Sequence, residues 1–330
     1  MIKNKISVGI VGLGMVGDPI RRWFEEVKGY KRGKDIYCFD VDSRKGYGDD
    51  VNKADIIFVS VPTPTKKNAG SDTSIVHQAV STIKDGKTIV IKSTIPPGTI
   101  EGLQKEFPKK KFIFNPEFLT ESQVWSDFIR TDRQILGPSA KGRVDVKEVQ
   151  NLLPMAPFSR PWSSDYSKKE VTATEAELVK YASNAFGYTK VIYGNILADI
   201  CHALNQVYKQ EKISSVVDYD NLREMLGSDP RIGPAWLDVS HGKYSGAGGF
   251  CFPKDMNAMI SFINHDLITP LSKSKKTDKQ MLKVLKKGVG VLEAVRDYNR
   301  ELLISQGLTE EGISCHSKDI DTSKVKSIRV

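Results

Sequence analysis

The amino-acid sequence predicts an α/β protein in which a doubly wound parallel sheet is followed by a helical domain built on a long central helix. Three observations support this prediction. Short apolar segments alternate with helix-like segments through the first half of the chain. The first apolar segment runs directly into a glycine-rich turn, Gly12–Gly17. The second half contains one long stretch in which apolar residues repeat with a helical period.

The composition is typical of a globular protein. Apolar residues make up 39% and charged residues 27% of the 330 residues, which allows a sizeable core and about two domains. No apolar run approaches the roughly 20 residues that cross a bilayer, and the first residues lack the hydrophobic region of a signal peptide. The four cysteines are widely spaced without a C-x-x-C pair, so we expect neither a disulfide framework nor a metal site. These features predict a protein of the reducing cytoplasm.

The net charge of +9 has two interpretations, because it could attract anionic ligands such as nucleotides or nucleic acid itself. Much of the excess lies in Lys273–Lys287, a segment without interleaved aromatic residues or a groove-reading motif. A solvated helix face or loop is the favoured interpretation of this segment. We therefore expect neither nucleic acid nor a membrane as a partner.

The glycine-rich turn has the context of a dinucleotide-binding site. Ile6–Val11 reads as a strand and Met15–Val27 as a helix, which together with G-x-G-x-x-G form a Rossmann-type unit. Gly12 would permit the tight turn, Gly14 would let the pyrophosphate approach the backbone, and Gly17 would let helix and strand pack closely. The phosphates would then lie at a helix N-terminus, where N–H groups favour anions.

An acidic residue at the end of the second strand bears on the choice of cofactor. Asp35–Phe39 reads as a strand, and Asp40 follows it about 20 residues beyond the last glycine, where a carboxylate can bind the ribose hydroxyls. A carboxylate there favours NAD, because it would repel the 2′-phosphate of NADP. The neighbouring Arg44 and Lys45 weaken this inference without reversing it.

The strands that follow predict where a ligand would bind. Further strands are predicted at Ala54–Val61, Thr88–Ile91, Lys111–Phe114 and Gln134–Leu136, with helices around Ser74–Ile83 and after Pro96-Pro97. The loops that follow three of these strands are Pro62–Pro64, Ser93–Pro97 and Asn115–Glu121. In an open parallel sheet the ligand lies beyond the carboxyl ends of the strands, so these loops should line one edge with the glycine turn. Pro154–Ser167 reads as covering loops.

The second half is organised by a long helix. After a last short strand, Val171–Ala173, a capping box at Thr174–Glu177 opens a helix that continues to about Val207 and is roughly 45–50 Å long. Lys180 and Asn184 are four positions apart on one face, and an exposed polar pair is the favoured interpretation from spacing alone. Shorter helices are predicted at Asp218–Leu226, Met256–Ile263 and Val291–Leu302. The predicted domains are residues 1–173, residues 174–308 and a polar, mobile tail over 309–330.

A second glycine-rich segment carries a cysteine. Gly246–Asp255 contains three glycines that let a backbone approach a ligand, followed by Cys251, Lys254 and Asp255. A thiol beside a lysine could be a tuned nucleophile, because a nearby cation stabilises the thiolate. A lone cysteine is equally often a small buried apolar residue, so both interpretations stay open on these residues alone.

Several of these segments, taken together, resemble one family. The chain resembles the UDP-glucose/GDP-mannose dehydrogenase family, the nucleotide-sugar 6-dehydrogenases, over roughly residues 5–305. The most specific resemblances are Ala176–Asn184 and the Cys-Phe-Pro-Lys-Asp of Cys251–Asp255. The other matching segments are Gly12–Gly17, Val61–Pro64, Ser93–Gly98, Asn115–Leu119 and Asp229–Gly233.

The resemblance implies a double oxidation of a sugar C6 alcohol to a carboxylate with two NAD per sugar. Cys251 would capture the aldehyde as a thiohemiacetal, which is oxidised to a thioester and hydrolysed. Lys180 would stabilise the oxyanion, and Asn184 would donate a hydrogen bond to the reacting sugar oxygen. Asp255, with a water held by Thr94, would transfer protons, and Glu117 would be the acid or base of thioester hydrolysis.

The resemblance also assigns binding residues. NAD would contact Gly12, Gly14, Met15, Val16, Gly17, Asp40, Pro62, Thr63 and Thr94. The nucleotide sugar would contact Glu117, Phe118, Leu119, Glu121, Lys180, Asn184, Gly248 and Gly249. Arg231 would reach the nucleotide sugar of a neighbouring subunit, which implies a homodimer through the long helix. No metal is implied.

One departure from the family keeps other functions open. Family members carry a third, Rossmann-like domain that holds the nucleotide of the substrate, and too few residues follow here to form its βαβ units. A single-step β-hydroxyacid-type dehydrogenase is a second prediction, since that group uses a similar lysine–asparagine helix pair and needs no Cys251. A truncated NAD-binding protein without turnover is a third.

Overall fold

The computed structural model describes residues 5–160, 171–239, 244–314 and 325. The chain divides into two compact units. One contains the chain up to Lys66 together with Ser71–Lys180, and the other contains Lys67–Gly70 and the chain from Tyr181 onward. The division falls within the long helix rather than at the predicted boundary at residue 173, and the functional domain assignment stays a prediction.

The first unit is built on a six-stranded sheet. Its strands, in chain order, are β1 (Val8–Val11), β2 (Ile36–Phe39), β3 (Ile56–Val59), β4 (Thr88–Ile91), β5 (Lys111–Phe114) and, after the separate β6 (Arg133–Ile135), the short β7 (Gly137–Pro138). The order across the sheet is β2-β1-β3-β4-β5-β7, and only the β5–β7 pair is antiparallel. All residues of β1, β3 and β4 are buried, as parallel strands covered on both faces require. The predicted α/β fold is confirmed.

The strand register aligns the ligand edge. Val8 pairs with both Ile36 and Ile56, and the later strands keep the same alignment. The carboxyl ends of β1 to β5 therefore lie at one edge, as the sequence predicted. The chain reverses direction across the sheet at β1, because β2 flanks it on one side and β3 on the other. Such a switch point is where open α/β sheets bind ligands.

The helices of the first unit cover both faces of the sheet. They are α1 (Gly17–Arg22, continued by a π-helical turn, Trp23–Val27), α2 (Ser74–Thr82), α3 (Thr99–Glu106), α4 (Val124–Ile129) and α5 (Val146–Leu152). One buried apolar cluster contains Ile20 of α1 and Phe24 of the π-helical turn, and the other contains Val76 of α2 and Ile100 of α3. The helix predicted after Pro96-Pro97 begins at Thr99, and Gly98, with φ +89°, is its N-cap residue.

The strand predicted near Gln134–Leu136 forms one position earlier, as β6, and lies in a separate two-stranded sheet. Two other local predictions in this unit are wrong. Within the expected loop Pro154–Ser167, Phe158–Arg160 forms a strand, β8, that pairs in parallel with β6, and residues 161–167 lie outside the described part. No strand forms at Val171–Ala173, because the long helix α6 (Ala173–Gln210) already begins at Ala173.

The capping box of α6 lies two residues before the predicted one. Thr172 exchanges hydrogen bonds with Glu175: the Glu175 N–H donates to the Thr172 hydroxyl, while the Thr172 N–H and hydroxyl donate to the Glu175 carboxylate. Glu177 is instead fully buried and accepts hydrogen bonds from the N–H groups of Gly98 (2.6 Å) and Ile100 (2.8 Å) at the start of α3. Burial raises the pKa of Glu177 to about 8, although these two N–H groups favour the ionised form.

Replacing Glu177 with glutamine should remove part of the pH dependence of stability. A carboxyl group with a raised native pKa stabilises the fold fully below its unfolded pKa, and this stabilisation is lost as the pH rises through about 8. Between these values the unfolding free energy of the unchanged protein should fall with pH more steeply than that of the variant, by about 1 kcal/mol per pH unit. Urea unfolding between pH 5 and 8 measures the slopes, with the exposed Glu175→Gln as the matched control. If the unfolding free energies of Glu177→Gln and the unchanged protein changed equally with pH, Glu177 would not contribute to the pH dependence of stability.

The second unit is helical. After α6 come α7 (Tyr219–Gly227), α8 (Phe252–Ser261, continued by a π-helical segment, Phe262–Ile268), α9 (Thr269–Lys273), α10 (Lys279–Ser305) and α11 (Glu310–Ile313). Tyr188 and Ile192 of α6 pack with Met256 and Ile260 of α8 in a buried apolar cluster. The solvated helix face predicted for Lys273–Lys287 is confirmed over its α10 portion, where Lys279, Lys283, Lys286 and Lys287 are exposed.

The predicted polar tail is wrong for its first residues. Residues 310–313 form α11, Ile313 is fully buried, and its carbonyl accepts a hydrogen bond from the Gly249 N–H. Residues 315–324 and 326–330 lie outside the described part. Among the described residues, no helix is both long and apolar enough to span a membrane.

Candidate active site

The glycine turn after β1 is shaped by close packing. Gly12 has φ +86°, and a Cβ atom there would lie 2.5 Å from the carbonyl oxygen of Ser60, which follows β3. A Cβ atom at Gly17 would overlap the carbonyl oxygen of Gly12. A Cβ atom at Gly14 would meet nothing within 4 Å. Gly12 and Gly17 therefore serve the turn itself, whereas Gly14 borders open space that suits a pyrophosphate.

Asp40, directly after β2, is tied to this turn. Its carboxylate accepts hydrogen bonds from the Leu13 N–H (2.7 Å) and the Asp42 N–H (2.9 Å), and it pairs with the Lys45 ammonium at 2.8 Å. Burial would raise the pKa of Asp40, but the hydrogen bonds from Lys45, Asp42 and Leu13 outweigh it and lower the pKa. Asp40 thus presents a fixed negative charge beside the turn. Arg44 pairs with Asp42.

The loops after β3 and β4 are joined by a hydrogen bond. The Ser93 hydroxyl donates to the Val61 carbonyl at 2.7 Å. Thr63 is buried, Thr94 is half-buried, and Pro62 is exposed. Met15 and Val16 in the glycine turn are also half-buried. These residues lie at the predicted ligand edge, which follows from the aligned carboxyl ends of the strands.

A buried ion pair lies beyond β5. The Lys180 ammonium is 2.9 Å from a Glu117 carboxylate oxygen, and the other oxygen accepts a hydrogen bond from the Leu119 N–H at 2.9 Å. Burial alone would raise the pKa of Glu117, but Lys180 chiefly, with help from Leu119 and Lys92, lowers it below its ordinary value. Lys180 is therefore not part of an exposed polar pair, and that interpretation is wrong for it. Phe118 lies under the Arg133 guanidinium at 3.6 Å from the ring centre, and Glu121 is half-buried.

A second buried lysine at this edge was not predicted. Lys92, the residue after β4, is 4% exposed, and its ammonium donates to the side-chain oxygen of Asn115 at 2.8 Å. The Asn115 amide in turn donates to Gln134 and to the Ile135 carbonyl. Burial lowers the pKa of Lys92 to about 8, against an opposing effect of Glu117. A charged residue directly after an apolar strand was the available sequence signal.

In the second unit, Cys251 caps α8, and Asp255 lies in the first turn of that helix. The Asp255 carboxylate is almost completely buried. It accepts hydrogen bonds from the Asn184 amide at 2.5 Å and the Lys254 ammonium at 2.6 Å. The Asp255 N–H also donates to the Cys251 carbonyl at 2.9 Å. Asn184 is thus bound to the predicted cysteine segment, and the exposed-pair interpretation is wrong for it as well.

Two unpredicted amides hold the glycine segment before Cys251. Asn299 and Gln306 donate to and accept from the backbones of Ala247 and Ser245, respectively. Gly249 has φ +76°, and a Cβ atom at Gly248 would overlap the hydroxyl of Tyr244. Both amides lie more than fifty positions away in the chain, at positions where local pattern gives no signal.

Arg231 lies in the turn after α7. Its guanidinium pairs with Asp229 at 2.6 Å, and its side chain is 87% exposed. An exposed arginine anchored by its own loop is available to a partner molecule. Among the described residues, no group of histidine, cysteine, aspartate or glutamate side chains could hold a metal ion.

The structure thus brings the predicted residues together in two sets. Glu117 contacts Lys180 in the first unit, which also contains Thr94 and the glycine turn. Asn184 contacts Asp255 in the second unit, which also contains Cys251.

Comparisons with known proteins match both units. Residues 44–152 match the NAD binding domain of the UDP-glucose/GDP-mannose dehydrogenase family, and residues 174–279 match its central domain. The chain is 34% identical to a UDP-glucose 6-dehydrogenase of Rickettsia bellii over 232 residues, which are 67% of this chain and 48% of that protein. It is 28% identical to the UDP-glucose 6-dehydrogenase TuaD of Bacillus subtilis over 299 residues, which are 77% of this chain and 58% of that protein. The chain therefore spans about half the length of the curated relatives it matches.

Solved structures share the fold. A UDP-glucose dehydrogenase from Pyrobaculum islandicum superposes with a TM-score of 0.66 at 24% identity, covering 90% of this chain and 70% of that one. A 3-hydroxyisobutyrate dehydrogenase from Mycobacterium tuberculosis superposes with a TM-score of 0.54 at 12% identity, covering 88% of this chain and 98% of that one.

Proposed function

Because this chain belongs to the UDP-glucose/GDP-mannose dehydrogenase family and contains its NAD-binding domain, we propose that it oxidises the C6 alcohol of a nucleotide sugar to a carboxylate. UDP-glucose is the substrate proposed first, because the relatives named above carry UDP-glucose 6-dehydrogenase as their name. The balanced reaction converts one alcohol, one water and two NAD⁺ into one carboxylate, two NADH and three protons. Residues 1–173 would bind the cofactor, and residues 174–308 would carry the thiol.

The observation that supports this proposal most is the arrangement around Cys251. The thiol-bearing residue caps a ten-residue helix, and the N-terminus of a helix favours negative charge. The buried Asp255 carboxylate in the first turn is held by Asn184 and Lys254. A positioned carboxylate one helical turn after the thiol-bearing residue suits proton transfer during attack of the sulfur on an aldehyde.

The residues would then act as follows. The Cys251 sulfur bonds to the aldehyde carbon of the half-oxidised sugar and forms a thiohemiacetal. Loss of a hydride and a proton from this adduct leaves a thioester, and water releases the carboxylate and the thiol. NAD⁺, when bound, accepts the hydride in each oxidation. Lys180 would stabilise the negative oxygen that forms at the sugar carbon, and Asn184 would donate a hydrogen bond to it.

Glu117 fits the hydrolytic step. Its carboxylate is held ionised by Lys180, so it can accept a proton from the attacking water. Thr94 would hold the water that serves Asp255. Phe118, Leu119, Glu121, Gly248 and Gly249 would contact the sugar.

An assay of cofactor stoichiometry tests the proposal. NADH production is followed with UDP-glucose, GDP-mannose, UDP-N-acetyl-hexosamines, free sugars and hydroxy acids. We expect two NADH for each nucleotide sugar consumed. One NADH per substrate with a hydroxy acid would instead support a single-step β-hydroxyacid-type dehydrogenase. NAD binding without turnover of any substrate would support a non-catalytic protein.

Cofactor preference should depend on Asp40. We expect the unchanged protein to prefer NAD, and Asp40→Asn to lower the ratio of kcat/KM for NAD to that for NADP at least about tenfold, or about 1.4 kcal/mol. Removing the negative charge leaves Lys45 able to attract the 2′-phosphate. Initial rates with both cofactors measure the ratio, and Asp42→Asn, the neighbouring carboxylate, is the control. A preference of the unchanged protein for NADP would refute this role.

We also propose a homodimer formed through α6. Phe186, Tyr193, Ile200 and Val207 are spaced by seven residues and therefore form a stripe on one face of the helix. Each is between 45% and 66% exposed. In such a dimer Arg231 would reach the nucleotide sugar bound to the partner. Sedimentation equilibrium should give a dimer that Phe186→Glu dissociates, and a monomer at micromolar concentration would refute the proposal.

The cytoplasmic location remains a proposal. It is supported by the described cysteines, none of which takes part in a disulfide bond with another described residue.

A further inference from the structure

The glycine segment before Cys251 is held by two buried side-chain amides. The Asn299 amide donates to the Ala247 carbonyl at 2.9 Å and accepts from the Ala247 N–H at 2.8 Å. The Gln306 amide donates to the Ser245 carbonyl at 2.9 Å and accepts from the Ser245 N–H at 2.7 Å. Asn299 is fully buried and Gln306 is 1% exposed. Each amide therefore satisfies both the donor and the acceptor of one backbone residue in this segment.

The backbone of the segment needs such partners. Gly246 has φ +113° and Gly249 has φ +76°, so the segment cannot continue as a regular strand. Its buried N–H and C=O groups would each cost about 1–3 kcal/mol if left unpaired. A carboxamide is the uncharged side chain that offers both a donor and an acceptor in one plane. A Cβ atom at Gly246 would lie 2.7 Å from the Asn299 oxygen, so the position of this amide requires glycine at 246.

The segment has a third anchor in α11. The Gly249 N–H donates to the Ile313 carbonyl at 3.1 Å. Glu310 of α11 pairs with Arg300 of α10 and accepts a hydrogen bond from Asn257 of α8. The stretch from Asn299 to Ile313 thus holds both the segment before Cys251 and the helix after it.

We propose that Asn299 and Gln306 are positioning residues that set the Cys251 thiol for attack on the substrate. This inference rests on the proposed catalytic role of Cys251. Holding the backbone that leads to Cys251 fixes the direction of its side chain before substrate arrives. Misplacement of a reacting group by about 1 Å can lower a rate by about a hundredfold.

Two pairs of variants test the proposal. Asn299→Asp and Gln306→Glu keep the shape and the acceptor but remove the donor and turn a carboxylate towards a backbone carbonyl. Asn299→Ala and Gln306→Ala remove both. Asn205 supplies a matched control, because its amide makes the same two bonds, each 2.8 Å long, to the backbone of Val217.

We expect each of the four variants to lower kcat for carboxylate formation about ten- to a hundredfold with little change in the KM for NAD. The rate of Cys251 alkylation by iodoacetamide, followed by peptide mass spectrometry, should change at least about fivefold, and amide hydrogen exchange at Ala247 and Ser245 should accelerate. Asn205→Ala should leave kcat and alkylation at the values of the unchanged protein. Circular dichroism identifies any variant that fails to fold, and the folded variants then decide whether the amides position the thiol.

Other outcomes overturn the proposal. Folded Asn299 and Gln306 variants with unchanged kcat and alkylation rate would show that the amides do not position the thiol. An equal loss in Asn205→Ala would show a general effect on folding. If the unchanged protein oxidises no nucleotide sugar, the proposed function fails. Alkylation and hydrogen exchange then still decide whether the two amides hold the Cys251 segment.

Discussion

Replacing Cys251 with alanine should abolish carboxylate formation while leaving NAD binding intact. Without the sulfur no thioester can form, so we expect the rate of acid production to fall at least about a thousandfold. The cofactor fingerprint lies in the other unit, on the turn after β1, and does not involve the thiol. Mass spectrometry of the sugar product measures acid formation, and calorimetry measures NAD affinity.

A second cysteine provides the control for this experiment. Cys201 on α6 is buried, so Cys201→Ala makes the same chemical change away from the glycine segment. We expect it to cost some stability and to retain most of the activity. Acid production by Cys251→Ala at the rate of the unchanged protein would refute the covalent mechanism.

Replacing Lys180 with methionine should damage stability and catalysis together. The change leaves the Glu117 carboxylate buried without its cation, which typically costs about 3–5 kcal/mol. It also removes the proposed oxyanion partner, so kcat should fall about a hundred- to a thousandfold. Urea unfolding and initial rates measure the two effects.

The stability of Lys180→Met should also depend on pH in the opposite direction from that of the unchanged protein. In the unchanged protein the pKa of Glu117 is lowered, so its contribution to stability is present above its unfolded pKa and is lost as the pH falls through the folded value. Without Lys180, burial should dominate and raise the pKa of Glu117. The variant should then become less stable as the pH rises, whereas the unchanged protein should not lose stability through Glu117.

A double variant separates the two roles of Lys180. Lys180→Met with Glu117→Gln removes the buried charge and should recover much of the stability but none of the activity. If Lys180→Met alone were as stable as the unchanged protein at every pH, the ion pair would contribute nothing to the fold.

The Rossmann-type unit could be predicted because its signals are local. Apolar strand runs and the glycine turn each follow from residues within a few positions of one another, and Asp40 lies within the same βαβ unit. The long helix was predicted for the same reason, although it ends three residues later, at Gln210. The segment around Cys251 was recognised from its motif, but its chemistry could not be chosen from spacing alone.

The positions of polar residues along α6 did not reveal which of their side chains are buried. The run Thr172–Glu177 contains two overlapping capping-box patterns, and only the tertiary structure selects Thr172 with Glu175. Glu177 does not cap α6. Its carboxylate instead accepts hydrogen bonds from two N–H groups at the N-terminus of α3, which lies beside α6. Lys180 and Asn184 looked like a solvated pair for the same reason: spacing gives the face of a helix, not what covers it.

The sequence by itself determined the strand–turn–helix order, the carboxyl edge of the sheet and the chemical types of residue that line it, since backbone preference and periodicity act over short distances. Only the tertiary structure decided which polar groups are buried and paired. Lys92 with Asn115, and Asn299 and Gln306 with the segment before Cys251, join positions far apart in the chain. Unpaired polar groups are costly only where water is excluded, and the packing of the whole fold decides where that is.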